Sequence, residues 1–181
     1  MHRVSIKWLL MALGIASVLG ASLTVTLLYL QQNRTVGYLE KIGAVDAPLL
    51  FHLQDLYAQG LQNEQAARNV LLNPKDQKAR DNFDNADKSF RASLAAASAL
   101  ANGNVARSLE GILPQWNASH ALKIKLMDMA VAGDTARAVE VLNIEETPLW
   151  RVIKQTILTL VAGQQEVSKA NLKAIEAEEG A

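Results

Sequence analysis

The sequence predicts an all-α protein, with one hydrophobic N-terminal helix continuing into an antiparallel up-down-up-down four-helix bundle of two long outer and two short inner helices. Three observations predict it. The chain opens with 23 consecutive uncharged residues, Trp8 to Leu30. Beyond them, apolar or small residues recur at steps of three and four almost to the C-terminus. Turn-forming residues cluster at only three places, Asn73-Pro74, Asn102-Gly103-Asn104 and Gly133-Asp134-Thr135. Half of the 181 residues are apolar and only 5% aromatic. Most of the apolar content is Ala, Leu and Val, which suits close helix packing better than a β-sandwich.

As a helix the first run spans roughly 35 Å at about 1.5 Å per residue, enough to cross a bilayer. His2, Arg3 and Lys7 stand just before it. The positive-inside tendency therefore keeps 1–7 cytoplasmic and carries the chain beyond Leu30 to the opposite side, with Tyr29 at the outer interface. A cleaved signal peptide is the rival, because Val18-Leu19-Gly20 followed by Ala21 offers small residues for cleavage. The apolar run continues ten residues past Gly20, whereas a removable signal has an apolar core of about 7–15 residues. A transmembrane signal anchor over 8–30 is expected.

The remainder, 31–181, divides into helices near 31–72, 74–101, 105–131 and 135–179. In the first, Leu49, Leu53, Leu56, Gly60, Asn63, Ala67 and Val70 form one stripe. Asn73 caps the second and Pro74 occupies its first turn, with Phe83, Ala86, Phe90, Ala97 and Leu100 inward. Gly133 ends the third and Asp134 caps the fourth. There Val139, Leu142, Leu149, Ile153, Thr156, Leu160, Val167 and Ala174 hold one register, interrupted by Glu146, across a kink expected at Pro148. The long first and fourth helices overhang the short pair by roughly 22 Å, and both overhangs point back at the membrane.

Lys plus Arg equals Asp plus Glu at 18 each, so no global charge favours nucleic acid or acidic lipid. Cysteine is absent, which excludes disulfides, thiolate metal sites and cysteine nucleophiles. The sequence contains no H-E-x-x-H, phosphate loop, G-x-S-x-G or G-x-G-x-x-G. His120 has no carboxylate or second His at i+3 or i+4, and His52 has Asp55 alone at i+3, too few ligands for a metal face, so each is expected to be solvated or packed. No enzyme, cofactor or metal is expected.

The N-terminal anchor, Gln62-Asn63-Glu64-Gln65-Ala66-Ala67-Arg68-Asn69-Val70-Leu71-Leu72 at the end of the first bundle helix, the Gly133-Asp134 opening of the fourth and the length pattern together resemble the periplasmic four-helix-bundle sensor module of bacterial methyl-accepting chemotaxis receptors. The resemblance covers nearly the whole chain. It implies a homodimer in the bacterial inner membrane, with the bundle in the periplasm, engaging a small anionic ligand or a ligand-loaded binding protein and signalling by a small displacement of helix four. Related bundles also serve sensor histidine kinases and cyclic-dinucleotide enzymes. Receptors of this kind continue into a second membrane helix and a cytoplasmic signalling region. The 181 residues hold neither, so the chain is expected to be the sensor part of a longer frame or a single-pass helical interaction protein.

Counting along the hairpins gathers Arg68, Lys75, Lys78, Arg80 and Arg137 at the membrane-distal end, near Asp76, Asp81 and Glu140. Guanidinium groups there can hold an amino acid or organic acid through bidentate contacts. The resemblance implies a ligand between helices one and four, often across a dimer interface, with Arg68 as leading contact. Glu64, four residues before Arg68, reads first as an i,i+4 ion-pair partner worth about 0.2–0.5 kcal/mol. The same count sets Tyr57, Phe90, Trp116 and Trp150 in one layer, either core packing or an aromatic-walled pocket edged by Arg151 and Asp55. Arg68, Arg151, Trp150 and Tyr57 are the expected ligand contacts.

Overall fold

The computed structural model describes residues 6–179, which form four helices joined by short turns and include no strand. The first runs from α1 (Ile6–Lys41) through a π-helical turn (Ile42–Asp46) into α2 (Ala47–Leu72), a continuous helix of 67 residues. Next come α3 (Gln77–Leu100) and α4 (Gly103–Val131). The last joins α5 (Thr135–Val141), a second π-helical turn (Leu142–Glu146) and α6 (Thr147–Glu179). Of the expected cytoplasmic segment 1–7, only Ile6 and Lys7 lie among the described residues.

The N-terminal part of α1 is long and apolar enough to cross a membrane. Its large apolar side chains, including Trp8, Leu13, Leu19, Leu23 and Leu28, are all exposed. They meet no protein core, as a lipid-facing or signal segment would require.

Both π turns sit two residues ahead of a proline, Pro48 and Pro148. Proline has no N–H and its ring collides with the carbonyl four residues back. Widening the preceding turn relieves the collision, and the amides of Ala47 and Thr147 reach back five residues to the carbonyls of Ile42 and Leu142. The kink expected at Pro148 is thus a π turn immediately before it. Pro114, by contrast, lies inside α4, which continues across it.

The turn expected at Asn73-Pro74 differs in detail. Asn73 ends α2, and its Oδ1 accepts from the Lys75 amide at 3.3 Å. The cap of α3 is Asp76, which accepts from the Ala79 amide at 3.0 Å. The short Asx turn uses up Pro74 and Lys75, so the helix starts three residues later than expected. At the next turn Gly103, with φ +52, begins α4 in a conformation that favours glycine. Gly133, with φ +87, closes α4 in a Schellman arrangement. Its amide reaches Ala130 O at 3.1 Å and the Asp134 amide reaches Met129 O at 2.9 Å. Asp134 caps α5 as expected, accepting from the Arg137 amide.

The stripe expected on the first bundle helix, Leu49 to Val70, is buried throughout. The fourth helix matches expectation at Leu142 and Ile153 and departs from it elsewhere. Val139 and Val167 are exposed, and the inward residues are Ala138, Val141, Leu142, Glu146, Trp150, Ile153, Ile157 and Gln164. The π turn inserts one extra residue, so after it the inward register falls one position later, on Trp150 instead of Leu149.

Helix α3 packs most extensively on α2, α6 lies against α2 and α4, and α6 also touches α1 and the first π turn. Two apolar clusters result. One holds Leu53, Leu56, Phe90, Trp116, Trp150 and Ile153, with Phe90 and Trp116 stacked at 3.7 Å and Trp150 edge-on to Trp116 at 6.3 Å. The other holds Val70, Phe83, Leu126, Met127, Ala138 and Val141. Each large side chain buried this way stabilises the fold by about 1.5–3 kcal/mol.

Candidate functional site

Between the two apolar clusters lies a layer of charge. Lys123 occupies an inward position of α4, in step with Trp116, Ser119 and Leu126, and is fully buried. Its Nζ pairs with Glu64 of α2, lies 3.5 Å from Glu146 Oε1 at the end of the second π turn, and donates to Asn63 Oδ1 at 3.1 Å. Asn63 donates in turn to the Phe83 carbonyl at 2.9 Å, and Ser119 donates to Glu146 Oε1 at 2.7 Å. The ammonium also faces two rings, 4.6 Å from the Trp116 centroid and 5.7 Å from that of Trp150, contacts that favour a desolvated cation.

Two carboxylates therefore share one ammonium away from water. Glu64 and Glu146 are both buried, and Glu146 Oε2 has no hydrogen-bond partner. Burial pushes the Glu64 carboxyl up to about 7, with Lys123 opposing the rise and the Glu146 charge reinforcing it. The remaining cation at Glu64 is Arg68, whose guanidinium lies 3.7 Å from Oε2 and whose side chain is half exposed.

Glu64 and Arg68 open onto a groove of 570 Å³ between α2 and the start of α6. Leu61, Gln65 and Asn69 line one wall, Thr147, Trp150, Arg151 and Lys154 the other. Spacings of three and four put each set on one helix face. Arg68, Arg151 and Lys154 supply three cations, against which the one carboxylate of the lining, Glu64, is itself committed to Lys123. The Trp150 ring extends from groove to core, and it fits because residue 60 is glycine. A Cβ there would lie 2.2 Å from Trp150 Cη2.

Three of the four expected contacts, Arg68, Trp150 and Arg151, thus come together in one groove. Tyr57 does not join them and packs against the lower apolar cluster with Phe90 and Trp116. Asp55, expected at the pocket edge, accepts from Ser93 and Gln59. The distal basic cluster does not assemble as one site. Arg80 donates to the Pro74 carbonyl, and Arg137 lines a separate small cavity with Lys125, Glu140 and Glu145. His52 stands edge-on to Phe51, and His120 stacks on Phe83 at 5.0 Å.

A second polar group flanks the charge layer. Asp87 accepts from Arg91 and from Trp116 Nε1 at 2.7 Å, and lies 3.4 Å from His120. Burial alone raises the Asp87 carboxyl, but these donors and charges outweigh it and hold it below the usual range. Burial depresses His120, only partly offset by Asp87.

Sequence reasoning missed Lys123 and Ser119, and read Glu146 only as an interruption of the fourth-helix stripe. The available signal was phase: Lys123 continues the 109, 112, 116, 119 stripe of α4, and Glu146 falls on the inward register of the fourth helix. A charged residue at a core position on two helices at once implies a partner. Among the described residues, no group of three or more His, Cys, Asp or Glu side chains is placed to hold a metal ion. Comparison with protein-family models, with characterised proteins and with solved structures finds no match for this chain.

Proposed function

We propose that this chain is the ligand-sensing module of a membrane-anchored receptor of the chemotaxis type, and that its ligand is a small organic anion held between α2 and α6. The observation that carries the reading is the groove, where Arg68, Arg151 and Lys154 surround the edge of Trp150. Guanidinium pairs bind carboxylates bidentately, and the indole offers an apolar face to the rest of the molecule.

In this reading α1 anchors the chain in the bacterial inner membrane, its N-terminus cytoplasmic and the up-down-up-down bundle periplasmic, as a homodimer. The fourth helix is the moving part. Its far end is tied to the first helix by Asp46, which accepts from Gln164 Nε2 at 3.2 Å and from Asn171 Nδ2 at 2.6 Å. A ligand that bridges α2 and α6 at the groove therefore acts on the same two elements that are clasped near the anchor. It shifts their relative position only by its difference in affinity for the two arrangements.

The test is thermal unfolding of the full chain in detergent against succinate and a panel of amino acids and organic acids. A true ligand at 100 times its Kd adds about 2.7 kcal/mol, and Arg68→Ala or Arg151→Ala removes that gain. A flat response to every anion tried would defeat the reading.

A further inference from the structure

We propose that the Glu64–Lys123–Glu146 triad is a proton-binding floor to the groove, so that an anion engaging Arg68 is taken up together with one proton. The proposal rests on the groove being an anion site and adds how that site is regulated.

The geometry leaves the triad one positive charge short. Glu64 and Glu146 share Lys123, and among the described residues the only other cation within ion-pair reach of Glu64 is Arg68 at 3.7 Å. Arg68 is also the triad's link to the groove, which it lines together with Glu64. An anion that draws the guanidinium toward itself removes compensation from Glu64 and adds negative charge beside it. In a site shielded from water the least costly response is to neutralise one carboxylate.

The other groups that face Glu64 do not relieve the deficit. From α6, Arg151 and Lys154 lie across the groove, where the anion itself would engage them. From the second π turn comes Glu146, of like charge, and from α3 the Phe83 carbonyl, reached through Asn63. His120 on α4 is paired with Asp87, and Glu145 with Lys125 at 4.0 Å. Glu64 is the proton acceptor because it borders the groove, while Glu146 is fully buried and accepts from Ser119. Burial already brings Glu64 to about 7, so the exchange falls in the neutral range. The step is a single protonation from solvent, Glu64 carboxylate to carboxylic acid, with no other bond changed.

The test follows the side-chain carboxyl of Glu64 by NMR in the full chain in detergent, labelled with carbon-13 glutamate. Glu64→Gln identifies the signal, and that variant keeps Lys123 paired one to one with Glu146. Arg68→Gln mimics withdrawal of the guanidinium without any ligand and should move the Glu64 midpoint to higher pH. Saturating succinate should move it the same way. Succinate should bind more tightly as pH falls through neutrality, by up to about tenfold per pH unit for one linked proton, and Glu64→Gln should abolish that dependence. A midpoint unmoved by Arg68→Gln overturns the proposal, as does succinate binding that is independent of pH. If Arg68→Gln shifts the midpoint but succinate binds at no pH, the groove reading itself falls, and with it the coupling.

Discussion

The two π turns make the same local move and end in opposite electrostatic states. Each closes on a buried acid two residues before a proline, Asp46-Ala47-Pro48-Leu49 in the first helix and Glu146-Thr147-Pro148-Leu149 in the last. Asp46 is met by neutral amides from Gln164 and Asn171. Glu146 is met by a hydroxyl and by a lysine it must share with Glu64, and one of its oxygens has no partner. A carboxylate satisfied by amide donors is held by geometry alone. One that shares an ammonium stays responsive to whatever changes the local charge. The difference separates a geometric clasp from a charge-coupled site.

The sharpest way to break this comparison is to remove the shared cation. Lys123→Met removes the ammonium that both buried carboxylates share and is expected to destabilise the fold by about 3–5 kcal/mol near neutral pH, measured by denaturant unfolding. A loss below about 1 kcal/mol would mean the layer is wet. Gly60→Ala tests the packing beside it. The new Cβ would overlap Trp150, so a cost of about 1–3 kcal/mol is expected, with a change in tryptophan fluorescence as the ring moves.

The two acids themselves should respond unequally. Asp46→Asn turns one acceptor toward an amide donor and should cost about 1–2 kcal/mol. Glu146→Gln removes one excess charge, keeps an acceptor for Ser119 and should stay within about 1 kcal/mol of the parent in the same unfolding assay. Equal losses would erase the distinction drawn here. The charge layer should also show a pH dependence. Because the folded Glu64 carboxyl lies near 7, above its ordinary 4.5, the folded state binds the extra proton between those values. Its stabilising contribution is complete below about 4.5 and is lost as pH rises through about 7. Thermal unfolding across this range should show the decline in the parent chain and a flatter profile in Glu64→Gln.

The helices, the Gly133-Asp134 junction and the first bundle stripe were legible because each depends on local signals, namely period, cap and glycine. The π turns were not. Pro48 and Pro148 announce a distortion, but which turn absorbs it is decided by packing. That single inserted residue puts Trp150 inward, and Arg151 lines the same groove as Arg68. Lys123 was hidden for a related reason. A lone lysine on an apolar stripe is ordinarily read as snorkelling to solvent, and only the height of Glu64 and Glu146 on two other helices makes it a core residue. Tyr57 was assigned to the right layer, and of its two readings, core packing or pocket wall, it takes core packing, since layer follows from residue count while facing depends on helix phase.

The first helix runs for 67 residues, from Ile6 to Leu72, about 100 Å at helical rise. Hydrogen bonds link it from end to end, so the stretch that would lie in lipid and the wall carrying Arg68 belong to one lever. A change in bilayer thickness that tilts its lower third would swing the upper third as well, and the clasp at Asp46 would be its fulcrum. If the groove holds an anion as proposed, its affinity should then vary with the acyl-chain length of the surrounding lipid.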